Sequence, residues 1–147
     1  MRPLLLLMMC AWTFAAGAWA RSPAVPDRSL EQLVTDYIGL YTRDTLPRWQ
    51  QLFLPGFSSA STNDDGSVTV RTLDAFYAAQ ERGFAQSRAM GERLENVRIE
   101  RHGALASVWA DFVFWADGPP SRGKLVLLAV HQVDGWRIHS LMFSYAE

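Results

Sequence analysis

The sequence predicts an α+β domain in which N-terminal helices pack on a mostly antiparallel sheet. Two observations predict this class. Apolar residues between positions 30 and 41 recur at helical spacing. The end of the chain is a succession of long apolar runs rich in β-branched and aromatic residues, at 104–116, 124–133 and 136–145. Helices first and strands afterwards favour a sheet covered by helices on one face.

The last two runs are separated by Asp134-Gly135. Asp-Gly between apolar strands favours a two-residue turn with positive φ at both central residues. This turn predicts that Val133 pairs with Trp136, and His131 with Ile138.

The helical half begins at Ser29, which stands at capping-box spacing from Gln32. A first helix is expected from there, with a face formed by Leu30, Leu33, Val34, Tyr37, Ile38 and Tyr41. Leu46-Pro47 after Thr45 predicts a short second helix, because proline in the first turn needs no amide partner. This helix should end before Pro55-Gly56.

Residues 58–67 are rich in Ser, Asn, Asp and Gly, which predicts a loop, and residues 68–70 fit a short strand. Thr72 then caps a third helix with an apolar face made of Leu73, Phe76, Tyr77 and Phe84. From Glu92 onward the period becomes alternating, as expected for a strand. The next two strands are apolar on both faces, so the face without helices is expected to meet a second subunit.

Residues 1–20 are typical of a secretory signal peptide. Arg2 supplies the positive end, 4–16 the apolar segment, and Ala18-Trp19-Ala20 a cleavage site. The alternative is an uncleaved anchor, but the apolar run is shorter than the ~20 residues that a spanning helix needs. We therefore expect a leader at 21–28, a folded domain at 29–147, and a secreted location in a bacterial periplasm. Cys10 would leave with the signal peptide.

Composition restricts the partners. Without its first 20 residues the chain keeps 127 residues and a formal charge of −2. The near-neutral charge and the absence of a basic run in the sequence argue against nucleic acid and against an anionic membrane as partners.

The order of elements resembles the nuclear transport factor 2-like superfamily, which includes SnoaL-like and ketosteroid-isomerase-like proteins. The likeness covers nearly all of residues 29–145 and depends on Tyr37, on Leu52-Phe53, and on residues 134–138 with Ser140 and Ser144. It implies a cone-shaped fold whose curved sheet wraps helices around a pocket, often with a homodimer formed through the sheet. It implies no single activity, because the fold carries many functions.

Ketosteroid isomerase tests the resemblance most sharply, because its chemistry needs an Asp base and a Tyr with a protonated Asp. Tyr37 falls at the matching helix position. The two acids fall near Ser61 and Ala129, so isomerase chemistry is disfavoured.

The same alignment assigns a concave face to Trp109, Asp111, Val113, Trp115, Leu127, Ala129, His131, Ile138, Ser140 and Met142. Asp111 and His131 would then share a wall and form a general acid/base pair. The alternative is a structural Asp111 and an ordinary core histidine. A one-residue slip in register would move Asp111 to the opposite face.

Aromatic residues predict an apolar ligand pocket. The expected lining residues are Tyr37, Tyr41, Trp49, Trp109, Trp115, Ser140 and Met142. The alternative is that these side chains fill the cone as ordinary core.

No cofactor and no metal site are expected. The three histidines, His102, His131 and His139, fall on separate elements and form no His-x-x-x-His or Cys-containing motif, and residues 63–67 lack the distal Glu of a calcium loop. Phosphate-loop and serine-hydrolase motifs do not occur in the sequence.

Three functions remain open. The leading hypothesis is a domain that binds a small apolar or aromatic molecule in its cone. The second is a SnoaL-like enzyme that uses Asp111 and His131. The third is a protein-interaction module with a plugged cone and a convex binding face at Leu141, Phe143 and Tyr145.

Overall fold

The computed structural model describes residues 28–63 and 65–146. The predicted signal peptide and residues 21–27 of the leader lie outside this range. The described residues form three helices and six strands, in the order α1 (Leu30–Gly39), α2 (Leu46–Gln50), β1 (Phe53–Thr62), β2 (Val68–Thr72), α3 (Leu73–Gln86), β3 (Met90–His102), β4 (Leu105–Ala116), β5 (Ser121–Gln132) and β6 (Gly135–Tyr145).

The six strands form one sheet in the order β2-β1-β6-β5-β4-β3. The pairing of β1 with β6 is parallel, and the other four pairings are antiparallel. The predicted class, helices on a mostly antiparallel sheet, is confirmed. Within the described part of the chain, no helix combines the length and apolar character needed to cross a membrane.

Both predicted helix caps are present. The Ser29 hydroxyl accepts a hydrogen bond of 3.0 Å from the backbone N–H of Gln32, and the Thr72 hydroxyl accepts one of 3.4 Å from the N–H of Ala75. These bonds satisfy amides that the first helical turn leaves without partners. The Gln32 side chain donates to Asp36 instead of reaching back to Ser29, so only half of the expected capping box forms.

The prediction of a loop at residues 58–67 is wrong for its first half, because β1 runs through Pro55-Gly56 to Thr62. This segment pairs with β2 on one side and with β6 on the other. The register shift on β6 falls between Phe53 and Ser58, which accommodates the proline. Local composition predicted a loop, but pairing on both sides overrides weak strand propensity.

The predicted register of the last hairpin is also wrong. Gln132 pairs with Gly135 and His131 with Trp136, so the loop residues are Val133 and Asp134. Gly135 has φ +104°, and its backbone lies against Arg28, whose carbonyl accepts a 3.1 Å hydrogen bond from the N–H of Trp136. The glycine serves this close approach of two backbones, not the second position of the turn.

The core lies between the helices and one face of the sheet, which we call the inner face. The inner face is formed by alternate residues of the central strands, including Val108, Phe112, Leu127, Ile138 and Leu141, all of which are buried. No helix among the described residues covers the opposite face, the outer face, which exposes large apolar side chains such as Trp109 and Met142.

We predict that Gly135→Ala destabilises the domain by about 2–4 kcal/mol, because a Cβ there would lie 2.3 Å from the Arg28 backbone N and the residue would keep a positive φ. Urea unfolding measures the change. Gly39→Ala is the matched control, since no described atom beyond its chain neighbours and the backbone of its own helix lies within 4 Å of its Cβ position. Equal midpoints for the two variants would contradict the assigned role of Gly135.

Candidate functional site

A cavity of about 100 Å³ lies between α1, α3 and the inner face of the sheet. Most of its wall is aromatic. The twelve residues that line it are Tyr37, Tyr41, Trp49, Phe76, Gln80, Glu92, Phe112, Phe114, Leu125, Leu141, Phe143 and Tyr145. The two aromatic residues Tyr41 and Trp49 are buried, whereas Tyr145 is 45% exposed and lies at the mouth of the cavity.

Simple periodicity brings these side chains together. Phe76 and Gln80 stand four residues apart on α3, so they share a helix face. Glu92 pairs with Phe114 across β3 and β4, and directly paired residues project from the same face of a sheet. Phe114 lines the cavity, so the Glu92 carboxyl also points to the inner face.

Trp49 fixes the aromatic part of the wall. Its ring centroid lies 5.0 Å from that of Tyr41, 5.7 Å from that of Phe76 and 4.6 Å from that of Phe53. The indole N–H donates a 2.8 Å hydrogen bond to the Tyr37 carbonyl. Because the polar end of this buried side chain is satisfied, the ring is held in one position.

Glu92 is the charged side chain of the cavity. Its carboxyl group receives a hydrogen bond from the Tyr37 hydroxyl, while its Oε1 atom is shielded from water and has no hydrogen-bond partner. Burial raises the pKa of Glu92 from its ordinary 4.5 to about 7, and the bond from Tyr37 works in the opposite direction. A carboxyl group in an apolar pocket favours its neutral form because the charged form loses hydration.

The other polar groups of the wall are uncharged. The Tyr41 hydroxyl donates a 2.5 Å hydrogen bond to Oε1 of Gln80. Burial and the nearby Glu92 carboxylate raise the pKa values of Tyr37, Tyr41 and Tyr145, so all three phenols stay protonated at neutral pH. Glu92 is therefore the group of this wall that titrates near pH 7.

The expectation that Asp111 and His131 share a pocket wall is wrong. Asp111 lies on the outer face, where the Lys124 ammonium contacts it at 2.5 Å and the Asn96 amide at 2.7 Å. These hydrogen bonds hold the pKa of Asp111 below its ordinary value. Lys124 sits opposite Asp111 in the register, and His131 is seven residues further along β5, which is roughly 20 Å.

His131 packs against Trp136, with ring centroids 5.2 Å apart, at the hairpin end of the sheet. The wrong assignment of Asp111 to the cavity wall has one cause. In β4 the even-numbered residues, Phe112 and Phe114 among them, face the cavity, and a shift of one residue exchanges the two faces of a strand.

The residues expected to bind the ligand divide between the cavity and the outer face of the sheet. Tyr37, Tyr41 and Trp49 do line the cavity. The remaining four, Trp109, Trp115, Ser140 and Met142, occupy outer-face positions of β4 and β6. Conversely, the three residues expected on a convex binding face, Leu141, Phe143 and Tyr145, line the cavity.

Glu92 is the residue that sequence reasoning missed. In the sequence, Glu92 marks only the point where the alternating strand pattern begins. It stands two residues from both Met90 and Leu94, which are partly buried, so it shares their face of the strand. An acid flanked at i ± 2 by inward apolar residues was the available signal.

Within residues 28–63 and 65–146, no three His, Cys, Asp or Glu side chains stand close enough to hold a metal ion. Asp65 of the segment with calcium-loop composition accepts hydrogen bonds from the Ser67 backbone N–H and hydroxyl, at 2.9 and 2.6 Å. This is the geometry of a local polar turn.

The chain belongs to the SnoaL-like domain family, whose model matches residues 30–147. This agrees with the nuclear transport factor 2-like fold implied by the resemblance. A comparison with curated protein sequences finds no significant match.

Solved structures with the same architecture confirm the fold. A nuclear transport factor 2-like protein of unknown function from Silicibacter pomeroyi matches with a TM-score of 0.60 and 20% identity, over 80% of this chain and 92% of its own. A proposed scytalone dehydratase from Novosphingobium aromaticivorans matches with a TM-score of 0.64 and 16% identity, over 82% and 83%. A proposed aromatic ring hydroxylase from the same organism matches with a TM-score of 0.66 and 14% identity, over 80% and 86%. At these identities the likeness shows the fold alone.

We predict that Glu92→Gln removes a pH-dependent loss of stability. Between pH 4.5 and 7 the native carboxyl group binds more protons than the unfolded one, so wild-type stability falls as pH rises through this window and stays low above it. At pH 8 the variant should exceed wild type by roughly 1–3 kcal/mol, and at pH 4 the two should be similar.

Urea unfolding at both pH values checks this expectation. Glu95→Gln, on the same strand, is the control, because the Glu95 side chain lies outside the cavity, is 37% exposed and forms ion pairs with Arg93 and Arg122. If the difference between Glu92→Gln and wild type were the same at pH 4 and pH 8, the buried titrating carboxyl would be refuted.

Proposed function

We propose that this SnoaL-like domain binds a small, mainly apolar molecule in the cavity between its helices and its sheet. The observation that carries the proposal is an aromatic wall interrupted by one carboxyl oxygen that lacks a hydrogen-bond partner. Ligand sites commonly combine an apolar lining with a few polar groups that set orientation.

The size of the cavity limits the ligand. Its volume is about 100 Å³, whereas an apolar cavity of ~150 Å³ in another protein holds benzene. A molecule of about one ring, or smaller, therefore fits with small adjustments of the wall. Tyr145 at the mouth is the wall residue with the most room to move, because it is 45% exposed.

Two of the similar structures are named as enzymes, a proposed aromatic ring hydroxylase and a proposed scytalone dehydratase. An enzyme of that kind would need a proton-transfer group in the cavity. Asp111 lies on the outer face and His131 at the hairpin end of the sheet, and neither lines the cavity, so in this chain that role would belong to Glu92, whose pKa of about 7 suits proton transfer at neutral pH. A binding protein and an enzyme would both need to bind a ligand in this cavity.

A secreted, periplasmic location is part of the proposal. It is supported by the apolar segment and the small-x-small site of residues 1–20 in the sequence.

The cavity proposal predicts that Leu125→Phe weakens the binding of a one-ring probe such as benzyl alcohol by about tenfold or more, because the larger side chain occupies ligand space. Leu125 is 3% exposed and lines the cavity. Leu128→Phe is the control, since Leu128 lies on the outer face of the same strand and is 44% exposed. NMR titration of the two variants and wild type measures the affinity. Equal affinities for all three proteins would place the ligand elsewhere.

We also propose a homodimer formed through the outer face. Five strands contribute a continuous apolar row there, which we call the outer row: Val70, Ala60, Met142, Val126 and Trp109. Val70, Met142 and Trp109 are 68%, 56% and 46% exposed. The row is about 19 Å long, which with its flanking rows gives the scale of a stable interface, about 800 Å² per partner. A second copy is the partner that presents an equally wide apolar row.

We expect Met142→Lys to convert the dimer to a monomer, because a lysine in the middle of the outer row would lose its hydration in the interface. Light scattering coupled to size-exclusion chromatography measures the mass. Val133→Lys is the control, at a fully exposed position of the hairpin loop. A wild-type protein that is monomeric at high micromolar concentration would end the dimer proposal.

A further inference from the structure

Deep in the cavity the two buried phenol donors already have hydrogen-bond partners, whereas one carboxyl oxygen does not. The Tyr37 hydroxyl donates to Glu92, and the Tyr41 hydroxyl donates to Gln80, so both buried phenol donors are in use. Oε1 of Glu92 has no partner. The group left for a ligand at this depth is therefore an acceptor, and a ligand that donates a hydrogen bond would satisfy it.

The described residues of the cavity wall include one acidic side chain, Glu92, and no Lys, Arg or His to balance its carboxylate. The groups that face Glu92 are Tyr37 from α1, Tyr41 after α1, Tyr145 from β6 and Gln80 from α3, whereas β4 and β5 contribute only apolar side chains. All of these facing polar groups are neutral near pH 7, so the twelve described wall residues supply no counter-charge to an ionised Glu92.

From this geometry we infer that the cavity selects a small organic amine, bound as its cation, whose N–H group donates to Oε1 of Glu92. The inference rests on the proposed function and names its ligand class. A protonated amine supplies both the missing donor and the missing positive charge.

The aromatic wall suits the apolar part and the charge of such a ligand. Rings of Tyr, Trp and Phe attract cations placed over their faces within about 6 Å of the centroid. Eight aromatic side chains border a space of only about 100 Å³, so any occupant lies close to several rings. The phenols and the indole are the electron-rich members of this wall.

Other ligand classes fit less well. A carboxylate or phosphate ligand would meet Glu92 without any basic residue in the wall, and like charges in an apolar cavity repel strongly. A ketone or ester offers only acceptors, so it would bind only when Glu92 is protonated. The two classes therefore differ in pH dependence: amine binding should strengthen as pH rises from 5.5 to 8, and carbonyl binding should weaken.

Three one-ring probes that differ only in the polar group test the inference: benzylamine, benzyl alcohol and benzoate. At pH 8 we expect benzylamine to bind wild type at least about tenfold more tightly than benzyl alcohol, and benzoate not to bind, since hydrogen bonds between charged groups are stronger than neutral ones. Glu92→Gln should reduce benzylamine binding to the level of benzyl alcohol. Glu95→Gln should leave both affinities unchanged.

A direct measurement on wild type complements the variants. The Glu92 carboxyl resonance, followed by carbon-detected NMR, should show a lower pKa when benzylamine is bound, because a bound cation favours the ionised form. This readout does not depend on how well Glu92→Gln folds.

The possible outcomes distinguish the ligand-cavity proposal from the amine inference. Binding of benzyl alcohol with no preference for benzylamine, or a preference for benzoate, would overturn the amine inference and leave a ligand cavity in place. Failure of all three probes to bind would overturn the ligand cavity and the amine inference together. An amine preference that survives Glu92→Gln would show that Glu92 is not the recognising group.

Discussion

The packing of Trp49 against its neighbours is the interaction on which the helical layer depends. Trp49 belongs to a five-residue helix that would not be stable alone. Its ring contacts aromatic side chains of α1, β1 and α3, and its N–H is bound to the backbone of α1. One side chain thereby joins four elements into a single core. The cavity is the space that remains between this cluster and the inner face of the sheet.

Glu92 lies at the edge of that space, and its position has a cost in stability. Burial disfavours the charged carboxyl group, and only one of its oxygens is compensated by a hydrogen bond, from Tyr37. A core built for stability alone would place an apolar side chain there, because a half-satisfied buried acid is worse than a hydrocarbon. A residue that costs stability and faces a cavity is a candidate for function.

Most of the helices and strands could be predicted, since their signals are local. The Ser29 and Thr72 caps, the proline of α2 and the apolar runs of β4 to β6 each depend on neighbours in sequence. The candidate site could be predicted only in its helical half, where Tyr37 follows the apolar spacing of α1, Tyr41 lies four residues further along the chain, and Trp49 is on the apolar face of α2. In β4 both faces are apolar, so alternation could not tell Asp111 from its neighbours Phe112 and Ala110.

The sequence by itself determined the class of fold, the order of its elements, the SnoaL-like resemblance and the aromatic character of the helical wall. These follow from periodicity and from turn and cap residues, which act over a few positions. The tertiary structure decided the register of β6, which Gly135 sets against Arg28, the strand formed by residues 53–62, and the inward faces of β4 and β6. It also decided that Glu92, and not Asp111, is the buried acid. Each of these depends on contacts between segments distant in sequence, and the parity of a strand is fixed only by what packs on it.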